Sequence, residues 1–312
     1  MRINFFAESR KTFDFYQNKK TIFNIEIINW FLCGIYYFPC AIKLNSENFM
    51  TVSNISILFM LVSAVISIGL PIFLLVYVCK RYNAKLFPFF IGIFAFFLFA
   101  LVLESSMHAV VFANFALKEN PPAYIIYGVL AAGIFEESAR FLSFNFLKKK
   151  YGEIKTALSY GIGHGGAEAI LIVGASMINA VIYATMINSG RTAEITAGLQ
   201  GVRLEQVNEY INTIATSKPY MFLLAGIERI FTICVQMCLS VFVFYSVYSK
   251  KEKMVFLFPA AILIHAVTGI AAAAYQVKVL PNVLIVETIL ALSTALLVFF
   301  TFKLHNELKG SL

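Results

Sequence analysis

The chain has 312 residues, of which 60% are hydrophobic and only 13% are charged, and its mean hydropathy is +0.78. Soluble domains average about 25% charged residues and are less than half apolar, so this composition excludes an ordinary soluble protein. The scarcity of charge also excludes a disordered chain, and the unbroken apolar runs exclude a coiled coil. The composition predicts one polytopic membrane bundle.

Apolar runs long enough to cross a bilayer recur along the chain, since each span needs about 20 such residues. The first candidate, residues 21–42, carries Asn24, Glu26 and Asn29, so it either spans the membrane or lies in its interface. Seven clearer spans follow, at residues 55–79, 87–116, 123–147, 156–187, 219–249, 254–276 and 282–303. We therefore expect an all-α membrane protein, a bundle of about eight transmembrane helices with a polar site near mid-membrane.

Positive charge indicates how this bundle is oriented. With eight spans and a cytoplasmic N-terminus, lysine and arginine cluster in the loops that face the cytoplasm. We expect an integral protein of the bacterial plasma membrane with both termini in the cytoplasm. Residues 1–54 would form a basic arm plus the first span, residues 55–303 the main bundle, and residues 304–312 a tail. The net charge of +8 then reflects topology and contact with anionic membrane lipids, and no nucleic-acid partner is expected.

One long loop, residues 188–218, is expected on the outer side of the membrane. Its apolar residues recur at roughly helical spacing, which predicts an amphipathic helix on the membrane surface. These residues are Leu199, Val202, Val207, Tyr210, Ile211 and Ile214. The helix is either a structural cap or a substrate gate, and the cap is the favoured reading.

Ionisable side chains inside three of the predicted spans lie at one depth. Such groups are costly in a bilayer and usually mark functional sites. At 1.5 Å per residue they lie about 12–18 Å from the cytoplasmic helix ends. In GIFEESARF, Arg140 is three residues from Glu137 and four from Glu136, so one cation can balance two neighbouring carboxylates.

The second segment, SYGIGHGGAEAI, carries His164 and Glu168 four residues apart. This is the spacing at which one helix presents two ligands to a single ion. The glycines around His164 should let neighbouring helices approach closely, which would bring this histidine within reach of the helix that bears Glu136. His265 lies at the same depth in a third span.

Two imidazoles and a carboxylate are the donors of a catalytic zinc site that leaves its fourth position for water. The pattern predicts Zn²⁺ held by His164, Glu168 and His265. Glu136 or Glu137 could take the proton of the water and pass it to a leaving amine. Each piece also has a structural reading, as a core histidine, an ion-pair knot or a packing hydrogen bond. The shared depth favours a functional site.

Other intramembrane charges appear separate from this cluster. Glu104 and His108 are expected nearer the outer surface, and Glu287 is expected to be peripheral. Glu228 and Arg229 are adjacent and should point to different helix faces, so they are not expected to pair. We expect a structural bridge between Arg229 and Glu104 instead.

The segments EESAR and GxGHGGAEA, followed by the later lone histidine, resemble the YhfC family of membrane peptidases. That family is similar to the intramembrane metalloproteases that include CAAX prenyl proteases and bacteriocin-processing enzymes. The resemblance covers about residues 55–303 and implies a peptidase-like bundle. It implies that Glu136 and Glu137 are paired catalytic glutamates, one of them the general base, with Arg140 as their arginine and His164 and His265 as the two histidines.

Two departures from the wider pattern affect this assignment. Arg140 comes one residue earlier than in CAAX proteases. His265 is followed by Thr268 and Gly269, where an Asn or Asp is often found four residues on. The third metal ligand therefore has no family precedent here, and Glu168 is assigned to that place by its spacing.

Three functions remain open at this point. The first is an intramembrane zinc endopeptidase that cleaves a membrane-embedded or lipidated peptide. The second is a proton- or cation-coupled transporter, because buried Glu and His side chains also form proton relays. The chain lacks the internal repeat that usually accompanies transporter sites. The third is a non-catalytic membrane scaffold or immunity protein.

Overall fold

The computed structural model describes residues 50–311, and within that range the regular structure is helical throughout. Short 3₁₀ turns at Leu117–Glu119, Glu252–Phe256 and Lys309–Ser311 accompany the α-helices. The helices are α1 (Asn54–Tyr82), α2 (Leu86–Asn114), α3 (Pro121–Leu147), α4 (Ile154–Asn188), α5 (Thr192–Thr196), α6 (Gly201–Thr216), α7 (Pro219–Tyr248), α8 (Leu257–Gln276) and α9 (Val283–Leu308). The candidate span at 21–42 lies outside the described residues.

Six helices in the described range are long and apolar enough to cross a membrane: α1, α2, α4, α7, α9, and α8 together with its preceding turn. Helix α3 coincides with the remaining predicted span and has 27 residues, a length of about 40 Å. It carries Glu136, Glu137 and Arg140, and it packs against α2, α7 and α8, which cover these charges. The all-α polytopic membrane fold predicted from composition is confirmed.

Several helix ends have the sequence signals that such ends require. Ser53 caps the first turn of α1 by accepting from the Ser56 amide, and Asn120 caps α3 just before its two prolines. Helix α1 ends at Asn83, which adopts the left-handed conformation, with Lys80 and Arg81 in the last turn. These signals are local in sequence, so the helix bounds at these ends can be read without knowledge of the tertiary contacts.

Helix α7 is the central helix of the bundle. Of its most apolar stretch 67% is buried, against 28% or less for the other five candidate spans. The C-terminal half of α7 packs against α3 and α4 in a core that includes Phe144, Tyr160, Leu239 and Phe244. The outer helices instead expose large apolar side chains such as those of Phe94, Val267, Leu292 and Phe299, as expected for surfaces that face lipid.

Glycines bring the backbone of α4 into contact with its neighbours. A Cβ on Gly163 would collide with the carbonyl oxygen of Phe89 in α2, and one on Gly161 would lie 2.8 Å from the Met237 Cα in α7. Gly92 of α2 sits equally tightly against the Tyr160 backbone. The close approach predicted from these small residues is confirmed, and it places His164 between α2, α3 and α7.

Two π-helical segments interrupt the helices next to this crossing. One covers Phe96–Glu104 in α2, and the other covers Ala169–Gly174 in α4 and begins directly after Glu168. Such insertions are rare and occur often at functional sites, because the extra residue re-aims neighbouring side chains.

Helix α6 forms within the predicted amphipathic loop. Its Ile211 and Ile214 are almost fully buried and pack with Met60 of α1 and with Ala180 and Ala184 of α4. The apolar face of α6 therefore covers the beginning of α1 and the end of α4.

The close approach predicts unequal effects for two glycine substitutions. Gly163→Ala should lower the free energy of unfolding by about 1–3 kcal/mol, because its methyl group collides with rigid backbone. Gly128→Ala should be neutral or stabilising, since the space around Gly128 is open and alanine favours helix. Unfolding of both purified variants in detergent, followed by circular dichroism, measures the difference. Equal stabilities would contradict the close approach.

Candidate active site

The buried His164 and Glu136 form the first contact of the site. His164 Nε2 lies 2.9 Å from Glu136 Oε2, joining α4 to α3. The histidine is fully buried. The centroid of its ring lies 5.4 Å from that of Phe96, in an edge-to-face contact, and 5.9 Å from that of Tyr160. The aromatic walls hold the imidazole in one orientation.

Glu137, the neighbour of Glu136, binds His265 and Arg140. His265 Nδ1 lies 2.7 Å from Glu137 Oε1, and the same oxygen accepts a hydrogen bond from Arg140 Nη1. Arg140 Nε also donates to Ser240 of α7, over 3.2 Å. Because an ionised carboxylate only accepts, Nδ1 of His265 is the donor to an ionised Glu137, and in the neutral imidazole this tautomer leaves the Nε2 lone pair available.

The two histidines converge on one carboxylate. His265 Nε2 lies 3.8 Å from Glu136 Oε1, while His164 Nε2 contacts the other oxygen of the same group. The direct partner of Arg140 is Glu137, three residues away, and not Glu136. The paired glutamates therefore differ in role: Glu136 faces both imidazoles, and Glu137 orients one of them.

Glu136 is also connected to a second cluster, through α7. Gln236 Nε2 donates to Glu136 Oε2 over 3.0 Å and to Glu168 Oε2 over 2.9 Å. Arg229 then donates to Glu168 over 2.9 Å and to Glu228 over 2.5 Å. Both clusters thus form one polar network inside the bundle.

The expected bridge between Arg229 and Glu104 is wrong. Arg229 pairs with Glu168 and with its own neighbour Glu228, because its long side chain reaches across the helix face that separates adjacent residues. Glu104 pairs with His108, whose other ring nitrogen lies 2.7 Å from the Tyr127 hydroxyl. The expectation that the adjacent Glu228 and Arg229 do not pair is also wrong, whereas the Glu104–His108 pair follows from their four-residue spacing.

A cavity of about 150 Å³ extends from the site between α7, α8 and α9. Three of the predicted site residues, Glu136, Glu168 and His265, line it. Its volume is enough for several water molecules. Glu287 also lines the cavity and is only 8% exposed, so the expectation that it is peripheral is wrong. In the sequence, Glu287 is a single ionisable residue near a helix end, so it was expected to be peripheral. The cavity that it lines is formed by residues of different helices and is not visible in the sequence of one helix.

Gln236 and Ser240 are two residues of the site that were not predicted from the sequence. Both lie on the face of α7 that carries Arg229, at intervals of seven and eleven residues, so they point the same way along the helix. That run of polar residues in an apolar span was the available signal. It was missed because neither side chain is ionisable.

The predicted ligand Glu168 occupies a different position from the one its spacing suggested. Its two oxygens accept from Arg229 and Gln236, and no hydrogen bond joins it to His164 among residues 50–311. The four-residue spacing places both side chains on one face of α4, but Arg229 draws the carboxylate toward α7. Its role as a metal ligand stays a prediction.

The imidazoles and carboxylates that meet here are of the kinds that bind zinc. No group of three or more His, Cys, Asp or Glu side chains in residues 50–311 is arranged to hold an ion as it stands. Ligands of one tetrahedral zinc lie about 3.3 Å apart. The separations from Glu136 to the two Nε2 atoms, 2.9 and 3.8 Å, bracket that value. Among residues 50–311, Glu137 Oε2 and His164 Nδ1 are buried and have no hydrogen-bond partner. Buried polar atoms usually have one, so these two atoms leave room for a polar group that the protein itself does not supply.

Comparison with known proteins places the chain in a family. A family model described as YhfC intramembrane metalloprotease matches residues 66–290, which include all six predicted site residues. A Bacillus subtilis (strain 168) protein, described as an uncharacterized membrane protein YhfC, is 39% identical over 256 residues. The match covers 81% of this chain and 97% of that protein. No solved structure matches the chain. Together with the six apolar helices, these matches make the chain an integral membrane protein.

The ion pairs predict unequal effects for two arginine substitutions. Arg229→Met should cost about 3–5 kcal/mol of stability, because it leaves Glu168 and Glu228 buried without their cation. Arg191→Met, which removes the exposed pair with Glu194, should cause no measurable change. Denaturant titration of each variant in mixed micelles tests this. A fully stable Arg229→Met protein would show that the pairs do not support the fold.

Proposed function

The chain belongs to the YhfC family, and on that premise we propose that it is an intramembrane zinc-dependent endopeptidase. The observation that carries the proposal is the convergence of His164 Nε2 and His265 Nε2 on the carboxylate of Glu136. Two imidazoles and a glutamate are the protein ligands of several zinc peptidases. The same side chains come from three different helices, so local helix packing alone does not account for the arrangement.

In this proposal His164, His265 and Glu136 hold the metal. When bound, zinc polarises a peptide carbonyl and makes a coordinated water acidic enough to react near neutral pH. Glu136 replaces Glu168 as the third ligand. Its oxygens lie 2.9 and 3.8 Å from Nε2 of His164 and Nε2 of His265, close to the separation of two ligands on one zinc, whereas the oxygens of Glu168 contact neither nitrogen.

Glu168 is then the general base. It lines the water-sized cavity beside Glu136 and His265, and its carboxylate accepts a hydrogen bond from Arg229 inside the bundle. An ionised carboxylate can take a proton from the attacking water and return it to the leaving amine as the peptide C–N bond breaks. The products are a carboxylic acid and an amine.

Glu137 and Arg140 are positioning residues. Glu137 accepts from His265 Nδ1, which fixes the tautomer and leaves Nε2 as the ligand atom. Arg140 is fully buried and ties Glu137 to Ser240, so the orienting carboxylate cannot rotate away. This carboxylate–histidine arrangement is the usual outer shell of zinc sites.

The substrate class follows from the place of the site. The reacting groups lie inside a bundle of apolar helices whose outer faces are apolar, so a peptide embedded in the membrane, or one carrying a lipid, reaches them most directly. We propose the bacterial plasma membrane as the location, with both chain termini in the cytoplasm.

Metal content gives the primary test. Purified protein should contain about one zinc per chain by mass spectrometry, and His164→Ala and His265→Ala should lose it, because each removes one ligand. His305→Ala is the matched control, since His305 bonds Tyr245 at the far end of α9 and should leave the zinc in place.

A folded protein that cannot be loaded with zinc would overturn the proposal. In that case, ion flux into vesicles containing the protein would test the transporter reading of the same charges. Zinc that survives both histidine substitutions would show that the ion binds elsewhere.

The roles of two glutamates separate in the same assay. Glu136→Gln should lose the metal and with it peptide cleavage. Glu168→Gln should keep about one zinc per chain while cleavage falls at least about 100-fold, the contribution typical of a general base. Cleavage is followed on membrane-embedded peptides by mass spectrometry of the products. The reverse result, with zinc lost only in Glu168→Gln, would restore Glu168 as the ligand.

A further inference from the structure

Glu287 is a buried carboxylate that the proposed reaction does not use. It lies in the second turn of α9, is 8% exposed, and lines the cavity that begins at His265 and Glu136. Its Oε2 atom is fully buried without a hydrogen-bond partner, and within residues 50–311 the cation that acts on it, Arg229, does so without a direct ion pair. An isolated carboxylate in such a place is costly unless a cation or a proton accompanies it.

The other carboxylates of the cavity already have partners. Glu136 contacts His164 and Gln236, and both Glu168 and Glu228 bind Arg229. Arg229 is the only lysine or arginine among the lining residues in the described range, and its guanidinium bonds these two glutamates. The cavity is therefore lined by four carboxyl groups and one arginine, and Glu287 is the carboxyl group that lacks a direct partner among residues 50–311.

The remaining walls of the cavity are mostly apolar. They come from α8 and α9, at Ala271, Ala272, Val283, Val286 and Leu290. Tyr275 also lines the cavity, and an aromatic ring is a side chain that can attract a cation. Apolar walls beside a buried carboxylate suit a lysine or arginine side chain, whose methylene stem packs on the walls while its charged end meets the carboxylate. Trypsin selects basic residues with an aspartate in its pocket by the same principle.

We propose that this cavity is the pocket for a basic side chain of the substrate, and that Glu287 is its recognition residue. The pocket begins at the proposed reacting groups, so a lysine or arginine bound there would hold its own peptide backbone beside Glu136 and His265. This inference rests on the proposed function and adds to it the class of residue next to the cleaved bond.

Binding of peptides to the purified full chain in detergent tests the pocket without requiring cleavage. The probes are fluorescent, end-blocked Leu/Ala peptides that differ at one central residue: lysine, ε-acetyl-lysine, norleucine or glutamate. Wild-type protein should bind the lysine peptide about tenfold more tightly than the norleucine and acetyl-lysine peptides, by fluorescence anisotropy. These comparisons use only the wild-type chain, so they hold even if a variant fails to fold.

Substitutions then locate the preference. Glu287→Gln keeps the shape of the side chain and should remove the preference for lysine, and Glu287→Lys should favour the glutamate peptide. Glu307→Gln is the matched control, because it removes an exposed glutamate five turns further along the same helix. It should bind the peptides as the wild type does.

Equal binding of the lysine and norleucine peptides by the wild type would overturn the proposal, as would a lysine preference that survives Glu287→Gln. Each titration is repeated after zinc is removed with a chelator. A lysine preference in a protein that never binds zinc would support the pocket and reject the peptidase. One zinc per chain without a preference for lysine would reject the pocket and leave the peptidase proposal in place.

Discussion

Charged side chains inside a membrane bundle must find partners on neighbouring helices, because the hydrocarbon around the bundle offers none. This constraint applies to Arg140 and Arg229, because both side chains are fully buried and have no contact with solvent. Each donates to one glutamate of its own helix and to one polar or acidic side chain of another helix. The central place of α7 and the glycine face of α4 serve this requirement, because the polar groups can meet only where the backbones approach closely.

The polar network has two halves with different tasks. Around Arg140, Glu137 and His265 form a rigid unit that orients one imidazole. Around Arg229, Glu168 and Glu228 line a cavity that water can occupy. Gln236 joins the halves, since its amide donates to Glu136 on one side and to Glu168 on the other. A neutral amide at this junction can bond two carboxylates without adding a third charge.

Much of the site could be predicted because its residues carry strong local signals. Ionisable groups are rare in apolar spans, and the helical rise converts their positions into comparable depths. That reasoning identified Glu136, Glu137, Arg140, His164 and His265, all of which the structure brings together. It failed for Arg229 and Glu287, whose partners and surroundings lie on other helices. Gln236 was missed because an amide carries no charge to mark it.

The sequence by itself determined the membrane class, the long apolar helices within residues 50–311, the positions of the charges along them and the close approach at the glycines. These features depend on composition and on residue spacing along one helix. Only the tertiary structure decided which glutamate faces both histidines, which arginine holds which carboxylate, and that Glu287 lines a cavity. The physical reason is that such pairings depend on how each helix is rotated against its neighbours. Long side chains such as that of Arg229 can reach several partners, and packing selects among them.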